Sequence, residues 1–90
     1  MVEKRDFVFH VLIFSDDVAY SVKTENVEAF GKIKKLMNEK HIPIDDELEV
    51  MNEDGYPLNQ FIGIRNKRDV KKLINVLINE PWCFLHIGLD

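Results

Sequence analysis

The chain predicts a single α+β domain with the element order ββαββαβ. Three observations lead there. Two amphipathic stretches at helical spacing are each preceded by a pair of extended runs. Turn residues and prolines punctuate the chain between those runs. Short runs near the two ends, residues 6–14 and 82–89, are apolar on both parities. Ninety residues suffice for one domain, 1–90, and are too few for two.

Residues 6–14, DFVFHVLIF, are β-branched and aromatic, the composition of a central strand covered on both faces. Ser15, Asp16 and Asp17 form a turn. Val18, Tyr20 and Val22 then alternate with Ala19, Ser21 and Lys23, so 18–23 is a half-exposed hairpin partner. Thr24 is the expected N-cap of a helix over 25–40, with Glu25 and Glu28 in its first turn. Val27, Phe30, Ile33 and Met37 fall on one face of it, and Pro43 stops it.

After the acidic turn Asp45-Asp46-Glu47, Leu48, Val50 and Met51 begin a third strand. Glu53-Asp54-Gly55 is a hairpin turn, and residues 57–64, PLNQFIGI, form the fourth strand. Residues 65–68 are a basic turn. Val70, Leu73, Ile74 and Leu77 mark a helix over 68–79, and residues 82–89, WCFLHIGL, read as a second central strand. The two halves are alike in pattern, with no repeat visible residue by residue.

Two architectures suit this order: a ubiquitin-like β-grasp and a ferredoxin-like split βαβ pair. Each sets the first and last strands side by side at the sheet centre. They run parallel in the β-grasp and antiparallel in the ferredoxin-like fold. The turn at 15–17, followed at once by alternation, favours the β-grasp.

Composition narrows the function. The net charge of −4 argues against nucleic acid and against an anionic membrane surface as partners. The single cysteine, Cys83, permits no intrachain disulfide, and no secretory segment is visible, so a cytoplasmic or otherwise intracellular location is expected. His10, His41 and His86 supply too few converging ligands for zinc. His10 and His86 are expected to face each other across neighbouring strands, and Phe9 and Phe84 to be core rings. Cys83, inside an apolar run, reads as a small core residue rather than a nucleophile. No Ser-centred elbow, phosphate-cradling glycine loop or in-helix carboxylate pair is present. The expectation is a non-enzyme with no cofactor and no metal.

The segments LEVMNEDGYPL, FIGI, KRDVKKLI and WCFLHIGL resemble the C-terminal half of a Phox-and-Bem interaction domain. Such ubiquitin-like modules pair front to back, an acidic loop on one against a lysine-bearing first strand on the other. The resemblance places Glu53 and Asp54 in the acidic loop. The pattern's other two acids are Asn52 and Tyr56 here, its second acidic group is replaced by Asn66-Lys67-Arg68-Asp69, and the first strand has His10 and no lysine near its middle.

The expected function is a non-catalytic protein–protein interaction module that binds another protein, or a further copy of itself, through a charged face or a sheet edge. The candidate binding residues are Glu53 and Asp54, set against basic Lys34, Lys35, Arg65, Lys67 and Arg68. The alternative is a ferredoxin-like domain that binds a small ligand or builds a structural oligomer.

Overall fold

A computed structural model describes residues 8–15 and 19–89. Its elements are β1 (Phe9–Ser15), β2 (Tyr20–Thr24), α1 (Val27–Glu39), β3 (Asp46–Met51), β4 (Pro57–Ile64), α2 (Lys67–Leu77) and β5 (Cys83–Gly88). The order is ββαββαβ, in one α+β domain. The expected start of the first strand at 6–7, and residues 16–18 of the expected turn and second strand, lie outside the described residues.

The five strands form one mixed sheet in the order β3-β4-β2-β1-β5. β1 and β5 are neighbours and run parallel, with Phe9 opposite Cys83 and Leu12 opposite His86. That direction excludes the ferredoxin-like arrangement. The expectation of a central last strand also fails. Among the described residues β5 pairs with β1 alone and forms an edge, while β2, read as a half-exposed hairpin arm, lies in the middle of the sheet.

Both helices pack on the sheet face that carries Val11, Ile13, Val22, Ile62 and Ile64. With Phe30, Ile33 and Met37 of α1 and Val70, Leu73 and Leu77 of α2 these make the core. Fully burying one such side chain contributes about 1.5–3 kcal/mol, so this single layer holds most of the fold's apolar stabilisation. The other sheet face has no covering layer among the described residues. β1 is therefore buried on one face only: Val11 and Ile13 are buried, His10 and Leu12 exposed. β5 is less covered still: on the helix side Cys83 and Leu85 are half-buried and Ile87 is 49% exposed, and on the other face Phe84 is 53% exposed and not a core ring.

Helix starts differ from expectation for a local reason. The cap of α1 is Asn26, whose Oδ1 accepts from the Ala29 amide at 3.0 Å. Thr24 is instead the last residue of β2, where it is buried; its hydroxyl donates to the His10 carbonyl and accepts from the Asn26 amide, each at 3.2 Å. Asn66 caps α2, accepting from the Arg68 amide at 2.8 Å, which brings Lys67 and Arg68 out of the expected basic turn and into the helix. α1 ends before Pro43. His41 takes a left-handed φ of 58°, and the Ile42 amide donates back to the Met37 carbonyl at 2.8 Å. That closing motif buries Ile42 against the core.

The halves repeat in element order, and β2 repeats in β4 residue by residue, whereas the first strands keep a different offset, Val22 facing Ile13 but Ile62 facing Glu47. β2 and β4 are antiparallel, with Tyr20 opposite Ile64, Val22 opposite Ile62 and Thr24 opposite Gln60. This register is symmetric about the Val22–Ile62 pair. An offset of 40 residues carries Val22 onto Ile62, Asn26 onto Asn66, Ile33 onto Leu73 and Met37 onto Leu77. Each half is thus a hairpin followed by an Asn-capped helix, and a local two-fold axis relates the halves. β5 stands outside this symmetry. It covers the flank of β1, while the corresponding flank of β3 is bare among the described residues.

Candidate interaction surface

The register builds the uncovered face strand by strand. His86, Leu12, Lys23, Phe61 and Leu48 form one row across β5, β1, β2, β4 and β3. Gly88, Phe14, Ser21, Gly63 and Asp46 form the next. The face is apolar for a solvent-facing layer, with Lys23 near its middle. A side chain at Gly63 would press on Asp46, since a Cβ there lies 3.1 Å from the Asp46 Cβ.

At the β1–β5 end His10, Phe84 and His86 form a ring cluster with centroids 4.9–5.1 Å apart. One imidazole donates to the other, His10 Nδ1 to His86 Nε2 being 2.9 Å. The two histidines do meet, as expected, and both are exposed. Their contact needs at least one neutral ring as acceptor. They line an open groove of about 510 Å³ with Lys23, Glu25 and Asn26 among its other walls. No hydrogen bond or ion pair joins Glu25 to either imidazole among the described residues, and no group of three His, Cys, Asp or Glu there could hold a metal ion.

Cys83 lies on the opposite, helix-facing side of β5 and packs against the core. Burial pushes its thiol up to about 11, with the nearby Glu80 carboxylate adding to the shift. A thiol held protonated so far above neutrality is a poor nucleophile.

The residues singled out by charge do not form one site. Glu53 and Asp54 are exposed at the β3–β4 hairpin tip. Asn52 organises that tip: its Oδ1 accepts from the amides of Asp54 and Tyr56, both at 2.9 Å, and Gly55 takes the left-handed turn position with φ 84°. Arg65, Lys67 and Arg68 are exposed at the far end of β4, about 25 Å away along an eight-residue strand. Lys35 is exposed on α1. Lys34 bridges to Glu47 of β3 at 3.1 Å, with its ammonium 4.5 Å from the Phe30 ring centroid. The acidic edge and the basic helix flank are thus stitched together at that point rather than kept apart.

The feature missed in the sequence is the β5 edge. The Phe9 amide donates to the Trp82 carbonyl at 2.7 Å. In a parallel ladder that sets the peptide groups of Phe84, His86 and Gly88 toward β1 and turns those of Leu85 and Ile87 outward. The strand carries no Asp, Glu, Lys or Arg, and Phe84 and Ile87 are 53% and 49% exposed. An edge unpaired among the described residues, uncharged and apolar, is a ready template for another strand. The doubly apolar pattern of 82–89 was the available signal, and it has two causes: a buried strand, or an edge that meets a partner.

No helix among the described residues is long and apolar enough to cross a membrane. No protein-family model matches the chain, and neither do any curated protein or solved structure.

Proposed function

We propose that the chain is a non-catalytic protein-interaction module of the ubiquitin-like, β-grasp kind, which takes its partner at the β5 edge and the adjoining uncovered face. The observation that carries this reading is the β5 edge itself, with its outward amides and exposed Phe84 and Ile87. The parallel β1–β5 pair supports the β-grasp assignment. The edge position of β5 departs from the central last strand of that fold. Among the described residues Glu53 and Asp54 have no ion pair at their exposed tip and offer a second contact for a basic partner. Lys34 is already engaged by Glu47.

The test is retention of partner protein from extract by three immobilised forms: the unaltered chain, Ile87→Lys, and Glu53→Lys combined with Asp54→Lys. Retention at micromolar concentration by the unaltered chain, lost in Ile87→Lys and kept in the loop variant, is expected. The reverse pattern moves the contact to the acidic loop, and retention by no form of either a foreign protein or a further copy of the chain removes the reading.

A second reading, a small-ligand site, draws on the groove where His10, His86, Lys23 and Glu25 converge. Its measure is ligand-induced shifts of the two imidazole resonances. A silent titration across anionic and neutral metabolites disposes of it.

A further inference from the structure

We propose that the strand received at the β5 edge is β5 of a second copy of this chain, docked antiparallel about a two-fold axis beside Leu85. This inference rests on the interaction-module reading and names its partner.

Hydrogen-bond complementarity is the first argument. The outward donors of the edge are the amides of Leu85 and Ile87. The Cys83 amide is already taken by the Glu80 carbonyl at 3.1 Å. An antiparallel copy centred on Leu85 sets Leu85 against itself and Ile87 against the partner's Cys83 carbonyl, so each outward amide finds an acceptor. Centring one residue further on, at His86, pairs Leu85 with Ile87 and satisfies the same donors. A two-fold contact of this kind is self-complementary and closes at two copies.

Charge is the second argument. Copies with a net charge of −4 repel one another unless they meet where the acids are distant. Glu80, just before β5, is the described acid nearest the edge, and an antiparallel contact sets its two copies at opposite ends, while Asp46, Glu47 and Glu49 lie on β3, four strand spacings from β5. At about 4.8 Å per spacing that is about 19 Å, roughly two Debye lengths at physiological ionic strength. β5 has no fixed charge by which to select an acidic or basic foreign strand. The strand that matches it best is an apolar, neutral one with large residues on both faces, which describes β5 itself.

The contact merges two sheets into one of ten strands. On the uncovered face it brings the two His10–Phe84–His86 clusters together, and on the helix side it covers Ile87 twice over. An edge-strand contact is small, so dissociation in the range of tens of micromolar is expected, on the order of 10 μM at the tight end.

Sedimentation of the whole chain from about 1 μM to about 1 mM tests the proposal. A concentration-dependent monomer–dimer equilibrium is expected. Ile87→Lys should weaken it at least tenfold, while Glu49→Lys on the other edge leaves it in place. Circular dichroism checks that Ile87→Lys is folded, and Phe84→Lys, on the opposite face of β5, repeats the measurement if it is not. A chain that stays monomeric throughout overturns the proposal, as does a dimer that survives both lysines. If the chain is monomeric, hydrogen exchange at Leu85 and Ile87 distinguishes the two failures. Fast exchange leaves the edge open to a different protein, so the module reading stands. Slow exchange means the chain covers its own edge, and both readings fall.

Discussion

The sheet ends in two unlike edges. β3 is exposed along its whole length and carries Asp46, Glu47 and Glu49 within six residues, with Asp45 just before them. β5 is half-buried on one face, half-exposed on the other, and carries none. The local two-fold axis sharpens the contrast, because β3 is the counterpart of β1 and β1 is covered by β5. Charge is one of the common means by which a bare edge is kept from pairing with a neighbour. β3 uses it, with Glu47 tied to Lys34 on α1, and β5 does not. The two edges thus differ in whether charge discourages pairing.

The largest test of that contrast is truncation on each edge. Leu85 packs against the core, so Leu85→Ala should destabilise by about 2–3 kcal/mol. Leu48 is 56% exposed, and Leu48→Ala should cost under about 1 kcal/mol. Paired chemical denaturation measures both, and equal losses would erase the distinction between a core-bound edge and a peripheral one.

The next effect lies under the β3 side. Gln60 is fully buried, sits between Thr24 and Glu49 in the sheet, and has no hydrogen-bond partner at Nε2 or Oε1 among the described residues. A buried amide without partners costs about 1–3 kcal/mol. Gln60→Leu, of similar volume, should therefore raise the unfolding free energy by about 1 kcal/mol or more, and a loss of stability would mean that the amide is in fact satisfied.

The Lys34–Glu47 pair is partly exposed on both sides, at 38% and 48%. Lys34→Ala should cost about 0.5 kcal/mol, and the difference should shrink as salt is added. A salt-independent loss would assign the effect to the contact of the Lys34 stem with Phe30.

The smallest effect concerns Cys83. Its thiol ionises in the unfolded chain near 9.0 and in the folded chain only near 11. Below the lower value both states hold the proton and stability is unaffected by it. Between the two the unfolded state has lost a proton that the folded state keeps, so stability declines as pH rises through that window. Alkylation should be slow at neutral pH and accelerate only toward pH 11. Cys83→Ala should flatten this part of the stability profile, and prompt alkylation at pH 8 would place the thiol outside the core.

Much of this fold was legible in the chain, for reasons that can be named. β4 runs over the 57–64 expected, because Gly55 and Pro57 mark its start and buried residues alternate along it. The helical faces were plain because Phe30, Ile33 and Met37, and Val70, Leu73 and Leu77, keep a helical period. Thr24 suits a cap by its hydroxyl, but two residues on Asn26 does that work with a strand before it. Apolar residues on both parities of β5 suggest burial on both sides, which its edge position does not give. That inference runs one way only, since folded surfaces also carry apolar side chains. The binding candidates followed charge, which locates solvated positions readily, whereas an open edge depends on which strand lacks a neighbour. That is a property of strand order, and no local window contains it.

The β1–β5 ladder has a consequence for how the chain comes to be folded. Hairpins β1–β2 and β3–β4 close over a few residues, and β2 meets β4 across an offset of 40. Phe9 must wait for Cys83, 74 positions later. Until β5 has been synthesised the outer amides of β1 face solvent beside Val11 and Ile13, the apolar heart of the first half. A nascent chain halted before residue 83 would therefore hold two nearly finished hairpin–helix units and a sticky flank. Such an intermediate is a natural client for a chaperone that reads exposed strands.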